Sequence, residues 1–404
     1  MKNALVIGAG IGGLAAALAL HEAGWKVRVA ESVNELKPLG VGINLLPHGS
    51  AVLHGLGLGA ALDATGIRTR AIEYRTRYGH VVASDPRGIE AGFEFPQYSI
   101  HRGELQFLLL AALRERAGAD AVRSGMRLQR VDQDETCARG CFSNGEVLEA
   151  DIVIGADGFN SAVRAQLHPD EGPAHAEGTM MFRGAVEREP VSDGRTMFIA
   201  GNHDLKFVCY PISEKARQQG RSLVNWVAEI RHDRPRPATE ADWVDRGVRD
   251  FIDRFRDFSM PDVDVVDLMK ATPTVLEYPM IDRDPLPWWG RRRISLLGDA
   301  AHPMYPIGAN GASQAIVDAE CLGRFMKSCS DPVEGLAAYE AERRPKTRDV
   351  VLANRKSGPE RVLDIADSRL TGPDDKVDDL ISREEVEAVA RQYRQVAGFR
   401  KATE

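Results

Sequence analysis

The sequence lacks several features that would assign it to common protein classes. No apolar run approaches the roughly 20 residues that a membrane-spanning helix needs, and the segment after Met1 has no signal-peptide apolar region. The five cysteines are odd in number and contain no C-x-x-C pair, so neither a disulfide framework nor a dithiol redox centre is indicated. These absences predict a cytoplasmic protein without a membrane span.

An excess of positive charge is also missing. The chain has 52 Lys and Arg against 59 Asp and Glu, a formal net charge of −7, so it offers no basic field for nucleic acid. We expect no nucleic-acid partner and no metal site. At 404 residues the chain exceeds the size at which one hydrophobic core stops growing, so at least two packed units are expected.

A glycine-rich loop near the N-terminus is the first functional motif. The apolar run Ala4 to Ile7 leads into a loop containing Gly8, Gly10 and Gly13, and an alanine- and leucine-rich stretch follows. In such a strand–loop–helix unit the glycines permit the turn, the approach of a pyrophosphate and close helix–strand packing. Glu31, at the end of the next predicted strand, has the position of a carboxylate that accepts ribose hydroxyls. The unit predicts an adenine dinucleotide site, either NAD or FAD.

Two later segments also place a carboxylate at the end of a predicted strand. One strand leads into Asp157 and Gly158, and another leads into Gly298 and Asp299. Ligands of open α/β sheets bind at the carboxyl ends of the strands, so both segments are candidate cofactor contacts. Asp157 has an alternative role, because it precedes a predicted helix and an aspartate there commonly caps the helix.

The three segments together resemble the class A, single-component FAD-dependent aromatic monooxygenases, the family of salicylate and 4-hydroxybenzoate hydroxylases. The resemblance covers about residues 1 to 350. It implies that Asp299 contacts the FAD ribitol, that Asp157 takes part in FAD and NAD(P)H binding, and that Arg102 reaches the FAD. Within the family the phenazine hydroxylases are most similar, because the chain has Gly308, Ala309, Asn310 and Gly311 where many members have Gly-Gln-Gly.

The predicted fold class is α/β (α+β mixed), and the chain is expected to form two domains. A Rossmann-like FAD-binding domain with a parallel sheet is predicted for residues 1–70, 97–175 and 276–355. Short strand-like runs with aromatic and β-branched residues predict a smaller antiparallel-sheet substrate domain from residues 71–96 and 176–275. Residues 356–404 are expected to form a peripheral helical tail.

The resemblance implies a complete reaction. Non-covalently bound FAD is reduced by NADH or NADPH and reacts with O2, and the resulting flavin C4a-hydroperoxide hydroxylates a small aromatic or N-heteroaromatic acid, with or without decarboxylation. The sequence leaves one alternative open, a non-catalytic or oxidase-type FAD-binding protein on the same fold. The chain is expected to be a monomer or a homodimer.

Several residues are candidates for the reaction centre. The resemblance places Pro306 at the reactive edge of the flavin and Asn44 beside its ring, with Gly308, Asn310 and Gly311 as cofactor contacts. A helix from about Ala312 to Met326 should point its N-terminus at the flavin and favour negative charge there. Candidate substrate contacts are an arginine for a carboxylate, a phenol that is also a catalytic candidate, and apolar walls: Arg183, Tyr210, Trp226, Tyr305, Met180 and Phe182. Each of these residues has an ordinary core role as its alternative.

Overall fold

The computed structural model describes residues 2–232, 245, 247–356, 358 and 360–389. Parts of the predicted 176–275 and 356–404 segments therefore lie outside the described residues. In the described ranges, no helix combines the length and the apolar character needed to cross a membrane.

The described residues form strands, α-helices and short 3-10 helices. The strands are β1 (Asn3–Ile7), β2 (Lys26–Ala30), β3 (Gly42–Leu45), β4 (Ile67–Arg68), β5 (Ala71–Arg75), β6 (Val81–Pro86), β7 (Tyr98–His101), β8 (Val122–Arg123), β9 (Leu128–Gln133), β10 (Ala138–Phe142), β11 (Val147–Ala150), β12 (Ile152–Gly155), β13 (His175–Arg188), β14 (Thr196–Gly201), β15 (Leu205–Pro211), β16 (Ser222–Arg231), β17 (Leu276–Asp282), β18 (Gly290–Arg291) and β19 (Ile294–Leu296). The α-helices are α1 (Ile11–Glu22), α2 (Pro47–Gly55), α3 (Gly59–Thr65), α4 (Arg102–Ala117), α5 (Ala162–Leu167), α6 (Glu214–Gln218), α7 (Val265–Lys270), α8 (Gly311–Ser328), α9 (Pro332–Asn354), α10 (Arg361–Asp367) and α11 (Val377–Leu380). Short 3-10 helices cover Gly88–Ala91, Ala119–Ala121, Asp250–Phe255, Gly298–Ala300 and Ile307–Ala309.

A six-stranded sheet forms the centre of the first layer. Its strand order is β18-β19-β12-β1-β2-β8, and all neighbours are parallel except β18 and β19. Helix α1 is buried along most of its length because its residues are small and apolar. Gly323 of α8 lets the two helices approach closely, since a β-carbon there would lie 2.9 Å from the Ala19 β-carbon. The sheet and these helices form one hydrophobic core.

A seven-stranded sheet forms the second layer, in the order β17-β13-β16-β15-β14-β5-β6. Its neighbours are antiparallel apart from β14 and β5. Alternate residues of each strand point to opposite faces, so Met180 and Phe182 pack in one core with α7 while Met181 packs in another. The mixed α/β fold class with one mainly parallel and one mainly antiparallel sheet is confirmed.

The described part of the C-terminal segment packs against the second sheet. Leu363 of α10 and Leu380 of α11 are almost fully buried in the core that contains Ile72 and Met181. Asp367 accepts hydrogen bonds from the guanidinium of Arg77, at 2.7 Å, and from the Asn202 amide. The expectation of a peripheral tail is wrong for this part, because regularly spaced apolar side chains bury one face of the segment.

Candidate active site

The glycine loop between β1 and α1 has a shape that only glycine permits. Gly8 has a φ of 101°, and a β-carbon on Gly13 would lie 2.0 Å from the Gly8 carbonyl oxygen. A β-carbon on Gly10 would meet nothing within 4 Å, so the start of α1 faces open space. Among the described residues, no side chain caps this helix. Its first N–H groups are therefore available to an anionic ligand.

Glu31 braces the glycine loop from the carboxyl end of β2. One carboxylate oxygen accepts a hydrogen bond from the Ala9 N–H at 2.8 Å, and the other accepts from the Val33 N–H at 3.0 Å. The Gln106 side chain donates to the Ala9 carbonyl oxygen at 2.7 Å from the other side. The loop is thus held by side chains from two further elements. The predicted contact of Glu31 with a ribose stays a prediction.

A single cavity of about 350 Å³ runs from this loop to the second sheet. Its cofactor-side wall contains Gly10, Arg102 and Asp299. Pro306 and the turn that leads into α8 form a second part of the wall. The cavity therefore joins the carboxyl ends of the parallel strands to the inner face of the seven-stranded sheet, the two places that the sequence predicts for cofactor and substrate.

Arg102 and Asp299 place opposite charges on the cavity wall. Arg102 begins α4, and Asp299 lies in the 3-10 turn after β19. The Asp299 side chain is exposed to the cavity but surrounded by protein, and this desolvation raises the pKa of its carboxyl against the attraction of His302 and Arg102. Burial likewise lowers the pKa of Arg102, opposed by Asp299. A charged pair at a cavity wall can hold polar groups of a ligand.

Asp157 caps α5 instead of facing the cavity. Its carboxylate accepts hydrogen bonds from the Ser161 hydroxyl at 2.5 Å and the Ala162 N–H at 2.7 Å. Its neighbours Ala156 and Gly158 line the cavity. The helix-capping alternative is therefore observed, and the predicted role of Asp157 towards FAD and NAD(P)H stays a prediction.

The turn before α8 brings backbone groups to the cavity. Gly308 and Ala309 have positive φ values of 71° and 55°, which redirect the chain between Pro306 and the helix. Gly308 and Gly311 line the cavity, so the N-terminus of α8 faces it. Asn310 is buried and does not line the cavity in the described structure, because it forms the N-terminal boundary of the helix. Its predicted contact with the cofactor stays a prediction.

A buried ionic network lies behind the Gly298 turn. Asp318 of α8 is fully buried and accepts hydrogen bonds from the Gly298 N–H at 3.1 Å and the Arg343 guanidinium at 2.7 Å. The His302 Nε2 lies 2.5 Å from the same carboxylate. Burial works to raise the pKa of Asp318, but attraction to His302 and Arg343 lowers it overall. The network fixes the turn that carries Asp299.

The floor of the cavity is one face of the seven-stranded sheet. Strand alternation brings a set of mainly apolar side chains to it: Ile72, Tyr74, Met181, Met197, Ile199, Val208 and Val227. Met180, Phe182 and Trp226 lie on the opposite face, and Trp226 donates to the Thr272 hydroxyl at 2.8 Å. The prediction that these three residues form substrate walls is wrong, because each is one residue out of phase with the cavity face.

Arg183 and Tyr210 line the cavity but are engaged with the protein. Both donate hydrogen bonds to the Gly42 carbonyl oxygen, Tyr210 at 2.9 Å, and Arg183 also donates to the Tyr278 hydroxyl at 2.9 Å. The Asn225 side chain accepts from the Gly42 N–H at 2.7 Å. Burial raises the pKa of Tyr210 in spite of Arg183, so the phenol remains a donor. These contacts attach strand β3 to the second sheet.

Asn44 and Tyr305 also line the cavity. The Asn44 side-chain oxygen accepts hydrogen bonds from the Ser99 hydroxyl at 2.7 Å and the Gln97 amide at 3.5 Å. The Tyr305 hydroxyl lies 2.6 Å from His175 Nδ1, and burial raises the pKa of this phenol. The structure thus brings most predicted catalytic and substrate residues to one cavity, while their roles stay predictions.

The comparison with protein families agrees with this geometry. The FAD-binding domain family matches residues 1–354. The chain belongs to this family. Phenazine 1,6-dicarboxylic acid hydroxylase PhzS of Lysobacter antibioticus is 48% identical over 87% of the chain and 88% of its own length. A 6-hydroxynicotinate 3-monooxygenase of Bordetella bronchiseptica is 34% identical over 84% and 86%.

A solved structure extends the similarity to the fold. Klebsiella pneumoniae HpxO complexed with FAD and uric acid superposes with a TM-score of 0.75 at 26% identity, covering 98% of this chain and 93% of that chain. The family match and the two similar enzymes show that the chain is an FAD-dependent aromatic monooxygenase. NAD(P)H is the usual reductant of this class.

The described residues fit FAD. The open space at Gly10 and the uncapped N-terminus of α1 suit the pyrophosphate, and the cavity continues from there past Arg102 and Asp299 to the N-terminus of α8. Backbone N–H groups at this second helix start suit the electron-rich end of the flavin ring. The lining of the cavity thus combines the N-termini of two helices with charged side chains, a donor set that suits a dinucleotide.

Four cavity-lining charged or amide residues are absent from the sequence-based candidates: Arg87, Gln97, Glu229 and Glu360. Glu229 and Glu360 both pair with the buried Lys206, Glu229 at 2.7 Å. Lys206 and Glu229 are charged residues inside strongly apolar strands, a signal that the sequence carries. Glu360 gives no such signal, because it comes from the C-terminal segment that folds back onto the sheet.

Proposed function

We propose that this monooxygenase hydroxylates a planar N-heteroaromatic carboxylate of the phenazine carboxylate class, with or without loss of CO2. The observation that carries the proposal is the cavity in which the FAD-binding residues and a broad apolar sheet face meet. An apolar floor bounded by a few polar groups suits a flat aromatic ring. The relatives act on phenazine dicarboxylate and hydroxynicotinate, which are both N-heteroaromatic acids.

When bound, FAD supplies the redox chemistry, accepting hydride from NAD(P)H and activating O2. The protein contributes position and electrostatics. The N-terminus of α8, at Gly311, stabilises negative charge on the flavin through its partial positive charge. Pro306 and Asn44 lie on walls that flank the proposed ring position. The apolar residues of the sheet keep water from the reacting atoms, and this protects oxygen transfer from the competing release of hydrogen peroxide.

Tyr210 and Arg183 act in this proposal as positioning residues. Their hydrogen bonds to the Gly42 carbonyl fix β3, which carries Asn44, relative to the substrate floor. A 1 Å displacement of the ring from the flavin would slow transfer strongly. Tyr305, held by His175, is the aromatic wall nearest in sequence to Pro306.

The experiment is a screen of NAD(P)H oxidation by the FAD-loaded protein with phenazine-1-carboxylate, phenazine-1,6-dicarboxylate and 6-hydroxynicotinate. A substrate should stimulate oxidation and yield a product that contains one 18O atom from 18O2. Stimulated oxidation that gives only hydrogen peroxide would favour the oxidase-type alternative. Failure of every aromatic acid to stimulate oxidation or to give product would overturn the proposal.

We propose a cytoplasmic protein that is a monomer or a homodimer, and that uses NADH or NADPH. Light scattering with size-exclusion chromatography tests the oligomeric state. Steady-state rates with the two nucleotides decide the preference.

A further inference from the structure

The charged residues of the cavity differ in how they are already used. Glu229 and Glu360 share Lys206, and Arg183 is bound to the Gly42 carbonyl and the Tyr278 hydroxyl. Arg102 and Asp299 attract each other electrostatically on the FAD side of the cavity. Arg87 differs in its terminal nitrogens, because the partner it has there is an exposed carboxylate, that of Asp85. Its Nε is buried and has no hydrogen-bond partner among the described residues.

Arg87 has a position that suits a substrate contact. It follows β6, the edge strand of the seven-stranded sheet, and its backbone N–H donates to the Arg70 carbonyl oxygen at 2.8 Å, which fixes the start of the side chain. It lines the cavity together with Ile72 and Gln97. In the strand order it lies five strands from the strand that carries Arg183. The strands that supply the apolar floor therefore run from the strand of Arg183 to the strand next to β6, so Arg87 lies at the far edge of this floor.

The present partner of Arg87 leaves it able to bind an acid. One terminal nitrogen pairs with Asp85 at 2.9 Å, and the Asp85 side chain is 51% exposed against 20% for Arg87. An ion pair with so exposed a partner is screened by water and contributes little to stability. The guanidinium fork can bind a second carboxylate through its remaining N–H groups. Such a carboxylate would satisfy the buried Nε.

We infer that Arg87 is the specificity-determining residue that binds the carboxylate of the aromatic substrate, in place of the sequence candidate Arg183. The inference rests on the proposed function, because it assigns the acid group of that substrate. Both terminal nitrogens of Arg183 donate to buried partners, the Gly42 carbonyl oxygen and two phenols. Arg87 lines the same cavity, but its terminal nitrogen pairs with the exposed Asp85.

The test compares binding of phenazine-1-carboxylate and phenazine-1-carboxamide to the FAD-loaded protein, followed by the change in flavin absorption without NAD(P)H. The wild type should prefer the acid, and R87Q should lose that preference by about tenfold or more, the scale of a charge-assisted hydrogen bond. R87K should keep part of it. R70Q is the matched control, since Arg70 pairs with Asp193 and does not line the cavity.

The outcomes separate this inference from the proposed function. Hydroxylation of the acid by the wild type with an unchanged acid-to-amide ratio in R87Q overturns the role of Arg87 and leaves the function standing. If no aromatic probe binds or reacts with the wild type, the function itself fails and the inference falls with it. Weaker NADPH binding by R87Q, with acid binding unchanged, would reassign Arg87 to the nucleotide phosphate. FAD content and melting temperature confirm that R87Q and R87K are folded.

Discussion

Asp299 is the acidic side chain that the cavity exposes on its FAD side, held there by the turn after β19. The D299N substitution keeps its shape but removes the charge and its acceptor strength. We expect the FAD dissociation constant to rise about tenfold, because a charge-assisted hydrogen bond contributes roughly 1.5–3 kcal/mol. Quenching of flavin fluorescence during titration of the apoprotein measures this constant.

The matched control is D170N, which changes an exposed aspartate on the turn after α5. It should leave the constant within about twofold of the wild type. Equal FAD affinities for D299N and D170N would show that Asp299 makes no cofactor contact.

Arg183 and Tyr210 lead to a prediction about stability, since both hold the Gly42 carbonyl. R183M removes bonds to Gly42 and Tyr278 together, whereas Y210F leaves the Arg183 bond in place. We expect Y210F to lower the free energy of unfolding by about 1 kcal/mol and R183M to lower it by about 2–3 kcal/mol. Urea unfolding of the FAD-loaded proteins measures both. A stable R183M with selectively weakened acid binding would instead restore Arg183 as the substrate anchor.

Positions that a local motif fixes can be predicted from the sequence. Gly8, Gly10 and Asp299 occupy positions that a strand end and a turn fix by themselves. Met180 and Trp226 were misplaced because β13 and β16 are buried on both faces. Where both faces of a strand are apolar, the sequence does not alternate between polar and apolar residues. Only the tertiary packing then decides which residues face the cavity.

At the scale of helices, the Asp318 network joins α8, α9 and the Gly298 turn. Attraction to His302 and Arg343 depresses the pKa of the Asp318 carboxyl in the folded protein. The ionised carboxylate therefore contributes stability that is complete above the ordinary pKa of 3.8 and is lost as the pH falls through the lower folded pKa. We expect D318N to lose about 3–5 kcal/mol at neutral pH, because Arg343 and His302 lose a buried partner.

The deficit of D318N should stay constant from about pH 8 to pH 5 and shrink only below about pH 4. Urea unfolding at several pH values follows it. E320Q on the same helix is the control and should change stability by less than about 0.5 kcal/mol, since Glu320 is 45% exposed. A D318N deficit that already shrinks between pH 8 and 6 would contradict this account.

Helix α10 lies beyond the residues that the FAD-binding family matches, yet it buries Leu363 against the substrate sheet. Its partner strands are distant in the chain, so the sequence could not show where it packs. We expect L363A to lower the free energy of unfolding by about 2–5 kcal/mol through the cavity that it leaves. The control E384A, at an exposed site, should have little effect, and equal melting temperatures for the two variants would mean that α10 does not hold the sheet.

At the scale of the whole molecule, the cavity lies between the two large sheets, and polar contacts from β3, which is outside the six-stranded sheet, and from the segment after α9 reach the second sheet. Gly42 of β3 binds side chains of the second sheet, and Arg355 of the segment after α9 pairs with Asp282 of β17 at 2.8 Å. The sequence predicted both layers from their strand patterns. It could not predict these contacts, because they join residues that lie more than a hundred positions apart or depend on buried polar atoms.

FAD should therefore stabilise the whole molecule by filling the space between the layers. A ligand that binds only the folded state at 100 times its dissociation constant adds about 2.7 kcal/mol to the free energy of unfolding. We expect the melting temperature of the apoprotein to rise by several degrees on titration with FAD, following the logarithm of FAD concentration above the dissociation constant. Differential scanning calorimetry measures this rise, and both layers should unfold in a single transition. D299N should need about tenfold more FAD for the same shift, and D170N should match the wild type. If FAD raised the melting temperature of neither the wild type nor D170N, or if the two layers melted separately with only one responding, the cavity would not couple the layers through the cofactor.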